Sequence, residues 1–331
     1  MVILPFRGGI CHHNAVRNMT NMSIGPAWQR SKGLQSTVVT SPIRVLAVDI
    51  DGTLTDPQYH VSERNIQALR SAHEAGIQII LATGRRHDYA MPIAGQLGIP
   101  VLLMSSNGAL VRSSQGETFF AERLRAETAR KLIQHMADYR GNAVLTFDRA
   151  SNYPGNDSLV LETADVLNQS VSRWLEVNRP YIKFVVPLED ALQHEDPLQA
   201  MYCGRVSAME SAQEHLLTAG FLDEITVLKT QYDHRDLCIL DILTCGCSKG
   251  QALRRWAKQQ GVSREHIMAI GDNYNDLEML EFAGLPVVMG NAAEELKRAG
   301  YHVTGSNAEH GVALILEELL RTGFRHPIQR E

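Results

Sequence analysis

Residues 45–53 read VLAVDIDGT, so a short apolar run ends in two carboxylates that stand two positions apart. An apolar run of this length predicts a buried strand, and Gly52 permits the sharp turn that follows it. Asp49 can attack a phosphorus atom and help to hold a divalent cation, while Asp51 can exchange a proton with the departing oxygen. The segment indicates phosphoryl transfer, although Asp and Gly are also common turn residues.

Three further segments place polar groups at the ends of predicted elements. Residues 77–84 read IQIILATG and precede Arg85, Lys249 opens a helical pattern within CSKG, and residues 267–276 read IMAIGDNYND. Parallel α/β sheets bind their ligands at the carboxyl ends of the strands. We therefore expect these groups to lie at one edge of a sheet, although a lysine at a helix start is by itself more often a surface residue.

Strands and helices alternate from residue 43 onward, which predicts an α/β fold with a Rossmann-like parallel sheet covered on both faces. The predicted strands are 44–50, 77–82, 101–104, 267–271, 286–289 and 301–304. The predicted helices are 62–75, 87–97, 249–260, 275–283, 292–299 and 310–321. We expect the two halves to form a single sheet.

The segment between these halves is too long for a loop in a compact domain. It has its own strand patterns at 143–147, 181–186, 199–203 and 225–229, and helical patterns at 126–139, 163–173 and 206–219. We predict an inserted α+β cap domain at 111–235 and a core made of 44–110 and 236–322. A basic leader at 1–43 and a tail at 323–331 complete the chain.

Together the motifs DxDGT, Thr-Gly, an isolated lysine and GDxxND resemble those of the haloacid dehalogenase (HAD) superfamily, and most narrowly its Cof-type phosphatases of subfamily IIB. The resemblance covers about residues 44–322. Asp51 and Thr83 are 32 residues apart, whereas Thr83 and Lys249 are 166 apart, so the insertion falls between the second and third motifs. That position is typical of type 2 caps and argues against β-phosphoglucomutase-like members.

The resemblance implies a Mg²⁺-dependent phosphatase that hydrolyses a small phosphomonoester, a sugar phosphate or a cofactor-like phosphate, through an aspartyl-phosphate. Asp49 would be the nucleophile and Asp51 the general acid and base. Asp49, the Asp51 main-chain carbonyl and Asp272 would bind Mg²⁺, with Asp276 behind them. The substrate-binding residues implied are Gly52, Thr83, Gly84, Arg85, Lys249 and Asn275, with Thr83 and Lys249 also catalytic and the Ile50 amide beside them.

Several alternatives stay open. Arg85 could bind phosphate or cap its loop, and Asn107 could face the cleft or form an ordinary turn. A phosphomutase or phosphotransferase of the same superfamily, or a catalytically idle protein that binds a phosphate ligand, would retain the same motifs. The sequence names no substrate, and it does not show whether cap residues such as Arg149, Lys183 and Arg205 contact one.

The composition limits the classes of molecule that we expect the protein to bind. The chain has 331 residues and a net charge of −5, so its overall charge does not favour binding to nucleic acid, and no apolar run reaches the ~18 residues of a membrane span. We expect a small-molecule partner and leave the oligomeric state open. Five cysteines suggest reduced thiols, with a soft-metal or redox role for Cys245 and Cys247 less favoured.

The leader has four basic residues and no acidic one. It could be an organellar targeting peptide, a disordered extension, or the product of a misassigned start, since Met19 and Met22 lie within it. Because the leader shows no amphipathic helical period, we expect a cytoplasmic protein.

Overall fold

The computed structural model describes residues 40–149, 157–165, 169–232 and 236–321, together with 323 and 325–327. The described chain forms two compact units. Arg123–Cys247 makes one, which we call the cap unit. The described residues up to Glu122 and from Ser248 onward make the other, the core unit.

An eight-stranded sheet forms the centre of the core unit. Six neighbouring strands are parallel and a hairpin at one edge is antiparallel. In spatial order the strands are His302–Val303, Leu285–Val288, Ile267–Gly271, Val45–Asp49, Gln78–Ala82, Leu102–Ser105, Leu110–Ser113 and Thr118–Ala121. The motif strand Val45–Asp49 therefore lies inside the sheet, and all five of its residues are buried.

Helices cover both faces of this sheet, which confirms the predicted α/β fold. Successive side chains of a strand point to opposite faces. Leu46 and Val48 accordingly pack in one hydrophobic cluster, and Val45 and Ala47 pack in another with Trp256. The helices are Glu63–Glu74, His87–Leu97, Lys249–Gln259, Leu277–Phe282, Glu294–Lys297 and Gly311–Arg321.

The cap unit has a separate six-stranded, mostly antiparallel sheet and its own hydrophobic cluster. In spatial order the strands are Ile225–Tyr232, Leu237–Thr244, Gln199–Gly204, Ala143–Thr146, Leu159–Leu161 and Ile182–Phe184. The helices are Ala126–His135, Gln169–Asn178 and Val206–Leu216. The helix expected at 163–173 lies later in the chain, at Gln169–Asn178.

The structure places the domain boundaries later than 110/111 and 235/236. The hairpin of Leu110–Ser113 and Thr118–Ala121 extends the core sheet, so the core continues to Glu122. Leu237–Thr244 pairs along its whole length with Ile225–Tyr232, so it belongs to the cap sheet. The boundaries were predicted wrongly because each of these strands belongs to the sheet of the strand with which it pairs. The apolar pattern of a strand does not show what that pairing partner is.

Parts of the predicted leader and tail are also ordered elements. Thr40–Pro42 and Arg325–Pro327 form a two-stranded antiparallel ribbon. The other expectations for residues 1–39, including the targeting peptide, lie outside the described residues. In the part of the chain that the structure describes, we find no helix with the length and apolar character needed to cross a membrane.

Candidate active site

The turn after the motif strand brings the backbone against a neighbouring carboxylate. Gly52 has φ = 86°, and a Cβ atom placed on it would lie 2.3 Å from Asp272 Oδ2. A side chain at position 52 would therefore be strained by the backbone conformation and would also collide. Asp272 directly follows the strand Ile267–Gly271, the neighbour of Val45–Asp49, so adjacent parallel strands deliver both carboxylates to the same edge.

Three carboxylates form the centre of the site. Asp49, Asp272 and Asp276 are buried and offer oxygen atoms that all lie within 4.8 Å of one another. Asp276 Oδ2 accepts the main-chain N–H groups of Asp272 and Asn273 at 3.1 Å each, which fixes the loop after the strand. The hydroxyl of Thr53 donates to Asp272 Oδ1 at 3.0 Å.

Lys249 is the cation of this cluster and is only 1% exposed. Its Nζ donates to Asp49 Oδ1 at 2.6 Å and to Asp276 Oδ1 at 2.8 Å. Burial by itself would lower the pKa of Lys249, but the charges of Asp276 and Asp49 outweigh it and raise that pKa above its ordinary value. The ammonium group therefore stays charged.

One lysine does not balance three carboxylates. Burial, together with the charges of Asp276 and Asp51, raises the pKa of Asp49 to about 7 against the attraction of Lys249. Burial, with the charges of Asp49 and Asp276, also raises the pKa of Asp272 well above its usual range. Asp49 Oδ2 is buried and accepts no hydrogen bond from the described residues. This surplus of hard oxygen donors fits a divalent cation such as Mg²⁺.

Arg85 pairs with the second carboxylate of the motif. Its Nε donates to Asp51 Oδ2 at 2.7 Å and its Nη2 donates to Asp51 Oδ1 at 2.6 Å, a bidentate arrangement. The guanidinium also lies over the ring of Tyr89, 4.7 Å from the ring centre. The sequence was compatible with Arg85 binding phosphate or capping its loop, and it did not predict the pair with Asp51.

Thr83 joins the same network. Its Oγ1 accepts the main-chain N–H of Arg85 at 3.1 Å, and its carbonyl accepts the main-chain N–H of Asn107 at 2.9 Å. Asn275 donates to Asn107 Oδ1 at 3.1 Å, and a Cβ atom on Gly84 would lie 3.3 Å from the Asn107 amide group. Asn107 is fully buried beside Thr83, so it belongs to the site region.

Comparison with known proteins decides the family. A model of haloacid dehalogenase-like hydrolases matches residues 46–316 of the chain. The chain belongs to the haloacid dehalogenase-like hydrolase family. This hydrolase is 29% identical to Phosphatase YwpJ of Bacillus subtilis in a 304-residue alignment that covers 84% of this chain and 100% of the relative.

Two more relatives agree with this assignment. The hydrolase is 30% identical to the pyridoxal phosphate phosphatase YbhA of Escherichia coli, covering 82% of this chain and 96% of the relative. A haloacid dehalogenase-like hydrolase structure from B. subtilis superposes with a TM-score of 0.70 at 26% identity, covering 84% of this chain and all of that one. These relatives confirm the predicted family and the enzyme class, a hydrolase of phosphoric monoesters.

Two residues that contact the acidic loop of this HAD hydrolase were not predicted from the sequence. The Thr53 hydroxyl donates a hydrogen bond to Asp272, and the Asn291 side-chain amide donates one to the Gly52 carbonyl at 2.8 Å. Asn291 comes soon after the strand Leu285–Val288, so a polar residue at the carboxyl end of a parallel strand was the available signal.

The cap cations considered earlier pair with carboxylates inside the cap unit. Arg149 lies 3.1 Å from Glu195, Lys183 lies 3.4 Å from Asp157, and Arg205 lies 3.9 Å from Asp236. Among the described residues, the group able to hold a metal is the three-carboxylate cluster, which does not include Cys245 or Cys247.

Proposed function

We propose that the protein is a Mg²⁺-dependent phosphatase that hydrolyses a small phosphomonoester through an aspartyl-phosphate on Asp49. The observation that carries this proposal is the buried cluster of Asp49, Asp272 and Asp276 around Lys249, with Asp51 two residues from the nucleophile. The cluster combines a nucleophile, a fixed positive charge and a surplus of hard oxygen donors at one edge of the sheet.

The first step transfers the phosphoryl group to the protein. A carboxylate oxygen of Asp49 forms a bond to phosphorus while the bond from phosphorus to the alcohol oxygen breaks. Asp51 gives its proton to that oxygen, so the alcohol leaves neutral. In the described state Arg85 donates to both Asp51 oxygens, so one of these bonds must open for Asp51 to take a proton from solvent, while the other keeps Asp51 in place.

The second step returns the enzyme to its starting state. The Asp51 carboxylate takes a proton from water as the water oxygen bonds to phosphorus, and the bond from phosphorus to Asp49 breaks. Inorganic phosphate leaves and the Asp49 carboxylate is restored. Lys249 holds Asp49 Oδ1 during both steps and neutralises part of the charge that develops.

Asp49, Asp272 and the Asp51 main-chain carbonyl would hold Mg²⁺. When bound, the cation reduces the repulsion between the anionic nucleophile and the anionic phosphate. Asp276 already uses one oxygen with Lys249 and the other with two main-chain amides, which suits it to a supporting role. Thr83, Lys249, Asn275 and the amides of Ile50 and Gly52 would hold phosphoryl oxygens.

The substrate class remains a small phosphomonoester. Sugar phosphates are our default, and the relative named as a pyridoxal phosphate phosphatase supports cofactor-like phosphates as well. Because hydrolysis needs only water as acceptor, phosphate release in the absence of any added sugar would distinguish a phosphatase from a phosphomutase.

The test is a panel of phosphomonoesters assayed for phosphate release with Mg²⁺ and with EDTA. We expect Mg²⁺-dependent release, and Asp49→Asn should reduce it by at least about a thousandfold. Asp56→Asn is the matched control, because Asp56 caps its own turn by accepting main-chain N–H groups at 2.9 Å. Activity that survives EDTA, or an active Asp49→Asn variant, would contradict the proposal.

A further inference from the structure

Asparagine side chains hold the loop that carries the two acids of the motif. In the described part of the chain, three main-chain carbonyls of this loop accept hydrogen bonds from asparagine amide groups. The bonds run from Asn291 to Gly52 at 2.8 Å, from Asn65 to Leu54 at 3.1 Å, and from Asn307 to Thr55 at 2.9 Å. The three donors come from three separate places in the sequence.

These asparagines are also tied to other elements. Asn291 Oδ1 accepts the main-chain N–H of Asn307 at 2.9 Å, so two of the three donors support each other. Asn65 Oδ1 accepts the main-chain N–H of Ala313 at 3.0 Å, in the first turn of the helix Gly311–Arg321. Asn65 and Asn291 each use both ends of the amide, which fixes the side-chain orientation.

The chemistry of the loop favours asparagine at these positions. Carbonyls in a non-repetitive turn lack the partners that a helix or sheet supplies, so each needs a donor. An amide donates without adding charge. A lysine or arginine here would be drawn to the carboxylates of Asp49 and Asp51, and an aspartate would add a further negative charge and have no donor.

We propose that Asn291 is a positioning residue, which acts on the chemistry through the backbone of Gly52. Its hydrogen bond holds the peptide between Gly52 and Thr53, one residue beyond the Asp51 carbonyl, so that Asp49 and the Asp51 carbonyl keep their places relative to Asp272. This inference rests on the proposed phosphatase function, which it deepens.

Exposure separates Asn291 from a merely structural residue. Asn65 is 2% exposed and also accepts a hydrogen bond from the helix Gly311–Arg321. Its removal would therefore lower the stability of the protein, whatever its effect on catalysis. Asn291 is exposed, so water can satisfy the Gly52 carbonyl without holding it in place, and removal of the side chain should change stability little. An effect of Asn291 on turnover would therefore report the position of the loop.

The test compares Asn291→Ala and Asn291→Asp with the wild-type enzyme at saturating Mg²⁺. We expect kcat to fall about five- to tenfold with KM nearly unchanged, because the loop is no longer held in place. The melting temperature should stay within about 2 °C of the wild-type value, because only one exposed hydrogen bond is lost. Asn291→Asp keeps the shape but loses the donor, so it should lose activity too. Asn291→Gln keeps the amide and should recover part of the rate.

Asn142→Ala is the matched control, because Asn142 donates to the carbonyl of Cys203 at 2.9 Å within the cap unit. It should leave kcat unchanged. A calorimetric Mg²⁺ titration provides a readout without turnover, in which Asn291→Ala should bind Mg²⁺ several-fold more weakly.

Wild-type kcat and wild-type Mg²⁺ affinity in Asn291→Ala and Asn291→Asp would overturn the positioning role, even if the enzyme is an active phosphatase. Conversely, a wild-type enzyme that releases no phosphate would defeat the proposed function. In that case the Mg²⁺ titration alone would still decide whether Asn291 positions the loop.

Discussion

Lys249 and Asp49 show how burial sets the chemistry of single residues. The Lys249 ammonium lies between Asp49 and Asp276 with almost no contact with solvent, so its charge is not screened by water. Even so, burial, together with the charges of Asp276 and Asp51, raises the pKa of Asp49. The site is therefore short of positive charge until a cation or a proton enters.

This shortage predicts a pH-dependent affinity for Mg²⁺. Because the pKa of Asp49 is raised to about 7, a proton competes with the metal below that pH. Lowering the pH from 8 to 6 should weaken Mg²⁺ binding about tenfold in calorimetric titrations. Asp49→Asn should bind weakly at both pH values, and an affinity independent of pH in the wild type would contradict the raised pKa.

The same shift affects stability without metal. The folded protein holds a proton on Asp49 that the unfolded chain, with its ordinary pKa of 3.8, gives up. The free energy of unfolding in EDTA should therefore fall as pH rises from about 4 to about 7. Thermal melts in EDTA measure this slope, and the slope should be smaller in Asp49→Asn.

Arg85 is expected to act through Asp51. Arg85→Lys keeps the charge but cannot make both hydrogen bonds, so Asp51 is held less firmly. For an alkyl phosphate, whose leaving group needs a proton, kcat should fall about tenfold. For p-nitrophenyl phosphate, whose leaving group departs as an anion, we expect a much smaller loss.

The control for this prediction is Arg64→Lys, which alters a similar bidentate pair with Glu317 on the surface of the same unit. It should leave both rates unchanged. Equal losses on the two substrates in Arg85→Lys would show instead that Arg85 binds the phosphate and does not position Asp51.

At the scale of elements, close helix packing places Lys249. Gly250 lies at the start of the helix Lys249–Gln259, and a Cβ atom on it would lie 2.4 Å from the Cβ of Glu278 and 2.5 Å from its carbonyl carbon. The helices Lys249–Gln259 and Leu277–Phe282 therefore approach closely beside Lys249, the first residue of its helix. A displaced helix start would move the ammonium group away from Asp49.

Two glycine-to-alanine variants test this packing. Gly250→Ala should lower the free energy of unfolding by about 1–3 kcal/mol, because the added methyl group has no space. Gly95→Ala, in the helix His87–Leu97, meets no atom within 4 Å and should raise it by about 0.5–1 kcal/mol. Urea denaturation measures both, and an unaltered stability in Gly250→Ala would mean that the helices are not in close contact there.

At the scale of the whole molecule, each unit has its own sheet and hydrophobic cluster. The first part of the core unit ends at Glu122 and the second begins at Ser248. The guanidinium of Arg255, in the first helix of the second part, contacts the carboxylate of Glu122, so a short linker can join the two parts. Replacing Arg123–Cys247 with a short Gly/Ser linker should therefore leave a core that melts cooperatively and binds Mg²⁺. Circular dichroism and calorimetry measure these properties.

If the cap unit contributes to substrate recognition, the excised core should also lose discrimination across the phosphomonoester panel. Asp49→Asn in the excised core is the control for the metal site, because it should bind Mg²⁺ weakly there as in the full chain. A core that aggregates or melts without cooperativity would show that its stability depends on the cap unit.

The sequence alone determined the motif strand, the turn at Gly52, the α/β class and the place of the insertion. These features depend on local patterns, since apolar periodicity, glycine conformation and helix starts are properties of neighbouring residues. Parallel strands then bring Asp49, Thr83 and Asp272 to one edge, because Asp49 is the last residue of its strand and the other two directly follow theirs.

Only the tertiary structure decided which sheet Leu237–Thr244 joins, that Arg85 holds Asp51, and that Asn291 reaches Gly52. Asn291 and Gly52 are 239 positions apart, and no local pattern encodes a contact between them. A hydrogen bond of this kind forms because tertiary packing places a main-chain carbonyl next to a side-chain donor from a distant part of the sequence. Its partner therefore becomes visible only when the whole chain is folded.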